Sequence, residues 1–134
     1  MMILKYISIL LLAIFFASFQ KDESTKFDFL IQKWVYKNYE KGKFIYESNR
    51  KFKKDKAGIE FKENGTIIKQ QNSGWCGTPP IEYENVTGTW KKISDSLIVL
   101  EYKNWAGSNK DTMKIIEISK SKLTLKWIYT LKKE

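Results

Sequence analysis

The chain contains no histidine, a single cysteine and a single arginine among its 134 residues. Without histidine, the Ser-His-Asp and Cys-His constellations of hydrolases are excluded, and the commonest transition-metal ligand is missing. No segment has the glycine spacing of a P-loop or of a dinucleotide-binding turn. These absences favour a protein that is not an enzyme and that uses no cofactor and no metal.

The scarce cysteine and arginine limit the chemistry further. Cys76 has no partner for an intrachain disulfide, so the fold depends on packing. Two interpretations of Cys76 stay open, a small buried hydrophobic side chain or an accessible reactive thiol. Nearly all the positive charge comes from lysine, which lacks the planar fork that arginine uses on phosphate and guanine. The net charge of +9 therefore indicates a solvated, lysine-rich surface and no nucleic-acid partner.

The first twenty residues have the organisation of an export signal. Lys5 supplies a positive start, residues 7–17 are almost entirely apolar, and Ala17 and Ser18 are small. The apolar run is too short for a comfortable membrane span, and an uncleaved anchor is the alternative. The sequence predicts a signal peptide over residues 1–20, cleaved near Gln20. The mature chain, residues 21–134, is predicted to be one domain without a transmembrane segment, located in the periplasm or outside the cell.

Short segments in which apolar and polar residues alternate make up most of the rest of the chain. Ser24 is suited to cap a helix, and the apolar spacing after it predicts a short helix over residues 25–32. Alternating apolar residues then predict eight strands, which start near Trp34, Phe44, Ile59, Thr66, Tyr83, Leu97, Met113 and Leu123. One long loop is predicted over residues 72–80, and a loop is also predicted over residues 106–109.

The clearest local signal is Asn64-Gly65, which is typical of a two-residue hairpin turn. Counted outward from such a turn, Phe61 faces Ile68 on a mostly apolar side of the ribbon. Glu60 then faces Lys69 on the opposite side. The predicted register therefore places Lys69 on the charged face of the hairpin.

Connections of two to five residues favour the pairing of each strand with its neighbour in sequence. Closing eight such strands removes both exposed sheet edges. The sequence thus predicts an all-β fold, an eight-stranded antiparallel up-and-down barrel with a short N-terminal helix. Eight strands enclose an interior that is either filled by side chains or able to hold one small ligand.

Several motifs together resemble the small lipocalin-like domains of exported bacterial proteins. They are the helix end Leu30-Ile31-Gln32-Lys33-Trp34, the hairpin over residues 59–66, Gly88-Thr89-Trp90 before a turn, and the loop over residues 72–80. These motifs span most of residues 27–131. The resemblance implies a calycin-type barrel with an interior site, and it does not name a ligand.

The first functional hypothesis is a barrel that binds a small hydrophobic ligand. Aromatic side chains on predicted inward faces or beside loops suit an apolar pocket with polar rims. These candidates are Trp34, Tyr36, Tyr46, Phe61, Trp75, Tyr83, Trp90, Trp105, Trp127 and Tyr129. The same side chains could instead fill a closed core, and that alternative stays open.

The second hypothesis is an interaction module whose exterior binds an anionic partner. The partner would be an acidic glycan, a lipid head group or an acidic protein, attracted to a cluster of positive charge. The candidate residues form the basic run Arg50, Lys51, Lys53, Lys54 and Lys56. This hypothesis is compatible with a filled barrel core.

Overall fold

The computed structural model describes residues 24–73 and 81–133, with side chains for residues 27–73 and 81–128. These described residues form one helix, α1 (Ser24–Leu30), and eight strands. The strands are β1 (Lys33–Glu40), β2 (Lys43–Ser48), β3 (Gly58–Phe61), β4 (Thr66–Asn72), β5 (Tyr83–Lys92), β6 (Leu97–Asn104), β7 (Gly107–Ile118) and β8 (Lys122–Lys133). The predicted signal peptide and the loop segment with Trp75 and Cys76 lie outside the described residues. Within the described part of the chain, no helix is long and apolar enough to cross a membrane.

The eight strands close into an antiparallel barrel in the order β1-β2-β8-β7-β6-β5-β4-β3, with β3 paired back to β1. The predicted fold class is confirmed. One detail of the strand order is wrong, because β2 and β3 are not neighbours and β1 lies between them. Since both are antiparallel to β1, they run in the same direction. Residues 49–57, called the crossover below, therefore carry the chain from one end of the barrel back to the other.

The β3–β4 hairpin has a register that differs by one residue from the predicted one. Phe61 faces Ile67, and Ile59 faces Lys69. Ile67 and Phe61 are buried in the core, so their face of the ribbon is the inward one. Because side chains alternate along a strand, the one-residue shift moves Lys69 from the predicted charged face to the interior.

The shift arises in the turn, which has three residues rather than two. The Lys62 amide donates to the Thr66 carbonyl oxygen over 2.9 Å, and the Gly65 amide donates to the Lys62 carbonyl oxygen over 3.1 Å. Gly65 has a φ of 86°, a left-handed conformation that glycine adopts without steric cost. A three-residue loop that ends on a left-handed glycine is the next most common hairpin connection after the two-residue turns.

One end of the barrel, the closed end, is where α1 lies against the start of β1. The Trp34 Nε1 donates to the Leu30 carbonyl oxygen over 3.1 Å, which ties the helix to the barrel. The rings of Phe61 and Trp90 meet edge to face with their centroids 5.7 Å apart. The largest fully buried side chains are Trp34, Phe61, Leu30, Ile67, Ile98, Leu123 and Leu125. The closed end is therefore a filled apolar core.

The opposite end, the open end, contains the β1–β2 and β6–β7 turns. There the pairing of β5 with β6 is incomplete: residues 89–92 pair with residues 98–101, whereas β5 continues to Tyr83 along β4 only. The two backbones come into contact at Gly88, where a Cβ would lie 2.1 Å from the Glu101 carbonyl oxygen. Only glycine allows this approach without displacement of a strand.

Candidate ligand cavity

An interior cavity of about 360 Å³ lies in the open-end half of the barrel. Its lining residues come from six strands and are Phe44, Tyr46, Ile59, Lys69, Leu100, Tyr102, Asn104, Asn109, Asp111, Met113, Leu125 and Trp127. Four of these, Ile59, Leu100, Met113 and Leu125, also belong to the buried core cluster. The cavity therefore abuts the apolar core. Small-molecule pockets in proteins have volumes of about 300–1,000 Å³, so this one suits a small ligand.

Lys69 brings a positive charge into this interior. Its Nζ lies 3.7 Å from the centroid of the Tyr102 ring, a cation–π contact. Burial lowers the pKa of Lys69 from 10.5 to about 8, and the nearby Asp111 carboxylate opposes this shift. Lys69 is therefore still mostly protonated at pH 7, at a cost in desolvation that an exposed lysine does not have.

Tyr102 and Asp111 form the second polar contact of the cavity. The Tyr102 hydroxyl donates a hydrogen bond to the Asp111 carboxylate. Burial and this hydrogen bond both raise the pKa of Tyr102, so the phenol stays protonated. Burial, together with Tyr36 and Asp111, likewise raises the pKa of Tyr46. Among the described residues, the cavity lining thus includes one cation, one carboxylate and two neutral phenols.

Asn109 carries a side-chain amide whose nitrogen donates no hydrogen bond within the described part of the chain. It stands opposite Tyr102 in the β6–β7 pairing and is only 6% exposed. Its side-chain Nδ2 is buried and has no hydrogen-bond partner among the described residues. A buried amide without a partner costs about 1–3 kcal/mol, so such groups are uncommon in folded proteins.

The structure distributes the predicted ligand-binding aromatics over both ends of the barrel. Tyr46 and Trp127 line the cavity, and the Tyr36 ring meets the Tyr46 ring edge to face with centroids 6.0 Å apart. The closed-end core, away from the cavity lining, contains Trp34, Phe61 and Trp90. Their contact with a ligand stays a prediction.

The remaining predicted aromatics lie at or beyond the edges of the described site. Tyr83 is partly buried at the start of β5, and Trp105 is 60% exposed in the β6–β7 turn. Trp75 lies outside the described residues. The backbone of Tyr129 belongs to β8, where it pairs with Thr112, but its side chain lies outside the described part.

Sequence reasoning missed the polar side of the cavity, which Lys69, Tyr102, Asn109 and Asp111 form. Lys69 was assigned to the wrong face by the two-residue turn, and residues 106–109 were predicted as a loop. In fact Gly107 already begins β7, after a tight turn at residues 105–106, so Asn109 and Asp111 lie on a strand. The alternation from Ile98 through Leu100 and Tyr102 is a signal that could have indicated an inward Tyr102.

The basic run lies on the crossover, outside the barrel. Gln70 fixes the crossover backbone, since its Nε2 donates to the Lys56 carbonyl oxygen over 2.7 Å and also to the Lys53 carbonyl oxygen. The Phe52 ring covers Gly58, where a Cβ would lie 2.7 Å from the ring. All five candidate cations are exposed, and the four ion pairs within the described residues involve other lysines.

Comparison with protein-family models, with curated proteins and with solved structures finds no significant match to this chain.

Proposed function

We propose that this chain is an exported, non-catalytic, lipocalin-like barrel that binds a small, largely apolar molecule in its interior. The observation that carries the proposal is the cavity of about 360 Å³, whose walls combine aliphatic side chains with a few polar groups. Ligand sites in proteins have this composition, with polar groups that set orientation and apolar groups that supply affinity. The export signal that the sequence predicts over residues 1–20 supports a location in the periplasm or outside the cell.

The proposal is tested with 1-octanol, a soluble neutral probe small enough for the cavity. Binding to the folded state alone raises the melting temperature with ligand concentration. We expect such a rise, together with a change in tryptophan emission, because Trp127 lines the cavity and is 50% exposed. Absence of both changes up to the solubility limit of the alcohol would support a filled, ligand-free core.

A cavity-filling variant shows whether binding occurs at this place. Leu100 lines the cavity and is buried, so Leu100→Trp should occupy the space and abolish the thermal shift. Ile93→Trp adds the same side chain at an exposed position and serves as the matched control. Met113→Phe provides a milder filling variant in case Leu100→Trp does not fold.

The crossover supports a second candidate function, the binding of an anionic partner on the exterior. Its five cations are exposed, and Gln70 holds the backbone that carries them in place. Binding of this kind weakens with salt, since exposed charges are screened. The test is retention on vesicles of anionic lipid, where the triple variant Lys51→Glu, Lys53→Glu, Lys54→Glu should lose binding. An equal loss from a triple reversal at Lys91, Lys103 and Lys114 would show that only overall charge matters.

A further inference from the structure

We propose that Lys69 is a reactive amine that captures small aldehydes reversibly as imines, with the Tyr102 hydroxyl relaying a proton and the Asn109 amide binding the aldehyde oxygen. This inference goes beyond the proposed function, because it assigns a covalent reaction to one side chain of the cavity and does not depend on which molecule the barrel binds noncovalently. It is carried by the apolar surroundings of the amine, the buried phenol beside it and the buried amide donor.

The Lys69 amine has apolar neighbours on both adjacent strands. β3 and β5 place Ile59 and Val86 directly opposite Lys69. The acidic residues of these strands are elsewhere, since Glu60 is on the opposite face of β3 and Glu84 is exposed two residues along β5. Lysine side chains in apolar pockets are suited to form imines with carbonyl compounds, because desolvation favours the uncharged amine.

The fraction of unprotonated amine separates Lys69 from the surface lysines. Burial lowers the pKa of Lys69 from 10.5 to about 8. At pH 7 these two values leave about one tenth of Lys69 unprotonated, compared with about 0.03% of an ordinary exposed lysine. Only the unprotonated amine has the lone pair that attacks a carbonyl carbon, so we expect Lys69 to react before the surface lysines.

Asp111 lines the same cavity as Lys69 and limits the activation of its amine. The Asp111 carboxylate favours the ammonium form, and it also accepts a hydrogen bond from the Tyr102 hydroxyl. That hydroxyl belongs to the ring over which the Lys69 Nζ lies, 3.7 Å from the ring centroid. Burial and the hydrogen bond raise the pKa of Tyr102, which therefore keeps a proton to relay. Burial likewise keeps Tyr46, the other phenol of the lining, protonated by raising its pKa.

Asn109 supplies a donor for the oxygen atom of the aldehyde. Its Nδ2 is buried and has no hydrogen-bond partner among the described residues. Asn109 stands opposite Tyr102 in the β6–β7 pairing, and both line the cavity with Lys69. A fixed donor of this kind stabilises the negative charge that develops on a carbonyl oxygen when a nucleophile adds to the carbon.

The reaction needs the aldehyde as its only co-reactant. The nitrogen lone pair of Lys69 adds to the carbonyl carbon, and one amine hydrogen passes to the oxygen through the Tyr102 hydroxyl. The new hydroxyl group then leaves as water with the second amine hydrogen, and a carbon–nitrogen double bond forms. Nothing is oxidised or reduced, and addition of water to the imine returns the aldehyde and the free amine.

The experiment labels the folded protein with propanal, which is small enough for a cavity of about 360 Å³. Borohydride, added at set times at pH 7, reduces each imine to a stable propylamine that peptide mass spectrometry locates. We expect Lys69 to be labelled at least about tenfold faster than the exposed Lys103, because more of it is unprotonated. Lys69→Met should abolish the fast labelling, and the matched control Lys103→Met should leave it unchanged.

Two further variants test the assisting groups. Tyr102→Phe keeps the ring under the amine and removes the hydroxyl, and Asn109→Leu replaces the amide by an apolar group of similar size. Each should slow propanal labelling of Lys69 about tenfold, the effect of one lost hydrogen bond. Acetylation of Lys69 by acetic anhydride, which requires the free amine but no loss of water from it, should stay within about twofold. Equal slowing of both reactions would show that these residues only maintain the environment of Lys69 and would overturn their assigned roles.

The outcomes separate this inference from the proposed function. Labelling of Lys69 no faster than that of Lys103, in protein that binds 1-octanol, would overturn the reactive amine while the ligand-binding barrel stands. Fast labelling of Lys69 in protein that does not respond to 1-octanol would support the reactive amine and contradict the proposed function.

A pH series on the unaltered protein replaces Lys69→Met if that variant does not fold. Labelling of Lys69 should level off above about pH 8, where its amine is mostly unprotonated, whereas labelling of Lys103 should keep rising towards pH 10. Parallel pH profiles for the two lysines would contradict the inference.

Discussion

The two ends of the barrel are built from the same strands but bury different chemistry. At the closed end, Trp34, Phe61 and Ile67 pack beneath Leu30 of the helix with almost no exposure. At the open end, the inward positions of the same sheet carry Lys69 and other polar groups, and a cavity remains among them. The closed end thus has the packing expected of a structural core, and the open end has the composition expected of a ligand site.

The buried side chains at the two ends have opposite effects on the stability of the fold. Apolar side chains at the closed end stabilise the fold by removing area from water. The buried ammonium of Lys69, and the amide of Asn109 that has no partner among the described residues, have the opposite effect on stability. Polar groups that cost stability and face a cavity are often present for function, since a ligand can satisfy them. Four substitutions, taken from the largest expected effect to the smallest, test this contrast.

The largest loss is expected from Trp34→Ala at the closed end. The side chain is fully buried and donates to the Leu30 carbonyl oxygen, so its removal leaves a cavity and one of the two hydrogen bonds that this oxygen accepts is lost. Truncation of a buried tryptophan costs about 3–5 kcal/mol, measured as the free energy of unfolding in denaturant. Trp105→Ala, at a position 60% exposed in the β6–β7 turn, should cost less than about 0.5 kcal/mol. Similar losses for the two variants would contradict the contrast between the ends.

Gly88→Ala tests the place where the hydrogen-bonded pairing of β5 with β6 ends. The added methyl group would lie 2.1 Å from the Glu101 carbonyl oxygen, so β5 or β6 has to move. We expect a loss of about 3 kcal/mol in the free energy of unfolding, the upper part of the usual range for overpacking. Thr87→Ala, one residue away and exposed, is the control. An unchanged midpoint for Gly88→Ala would mean that the strands are not in contact there.

Lys69→Met should stabilise the protein at neutral pH, in contrast to the loss at Trp34. Below pH 8 the lysine is protonated in both the folded and unfolded states, and the folded state has the full cost of the buried charge. Between about pH 8 and 10.5 the unfolded state binds more protons, so this cost decreases as pH rises. We expect a gain of about 2 kcal/mol at pH 7 that shrinks towards pH 10.

The control for this pH dependence is Lys103→Met, whose effect should be small at every pH. The measurement is the denaturant midpoint of each variant between pH 6 and pH 10. A loss of stability for Lys69→Met throughout this range would indicate that Lys69 is a structural partner of Asp111 rather than a group held ready for a ligand.

Gly65→Ala is expected to have the smallest effect of the four. The left-handed φ of 86° costs a residue with a Cβ about 1–2 kcal/mol, and the nearest atom that the Cβ would meet is 3.6 Å away. We therefore expect a loss of about 1 kcal/mol, with Glu63→Ala in the same loop as a nearly neutral control. Amide exchange would sharpen the result, since a slipped hairpin would release the protection of the Lys62 amide that donates to Thr66.

The strands were largely predictable, whereas the polar part of the site was not. Alternation is a local property, and so strand positions such as Tyr83–Lys92 were found from the sequence. The site depends on register and on the start of β7, which turn geometry decides. A one-residue error in the predicted register at Asn64-Gly65 was enough to place Lys69 on the wrong face of the hairpin. Because residues 106–109 were predicted as a loop, Asn109 was not recognised as a strand residue.

By itself, the sequence determined that this protein is an all-β barrel rich in lysine and without histidine chemistry. Period-two alternation, short connections and residue composition carry that information locally. Only the tertiary structure decided that β1 lies between β2 and β3, and that Lys69, Tyr102, Asn109 and Asp111 meet in one cavity. These residues come from three strands, and their meeting depends on barrel closure and on hydrogen-bonded register, which no local pattern of residues encodes.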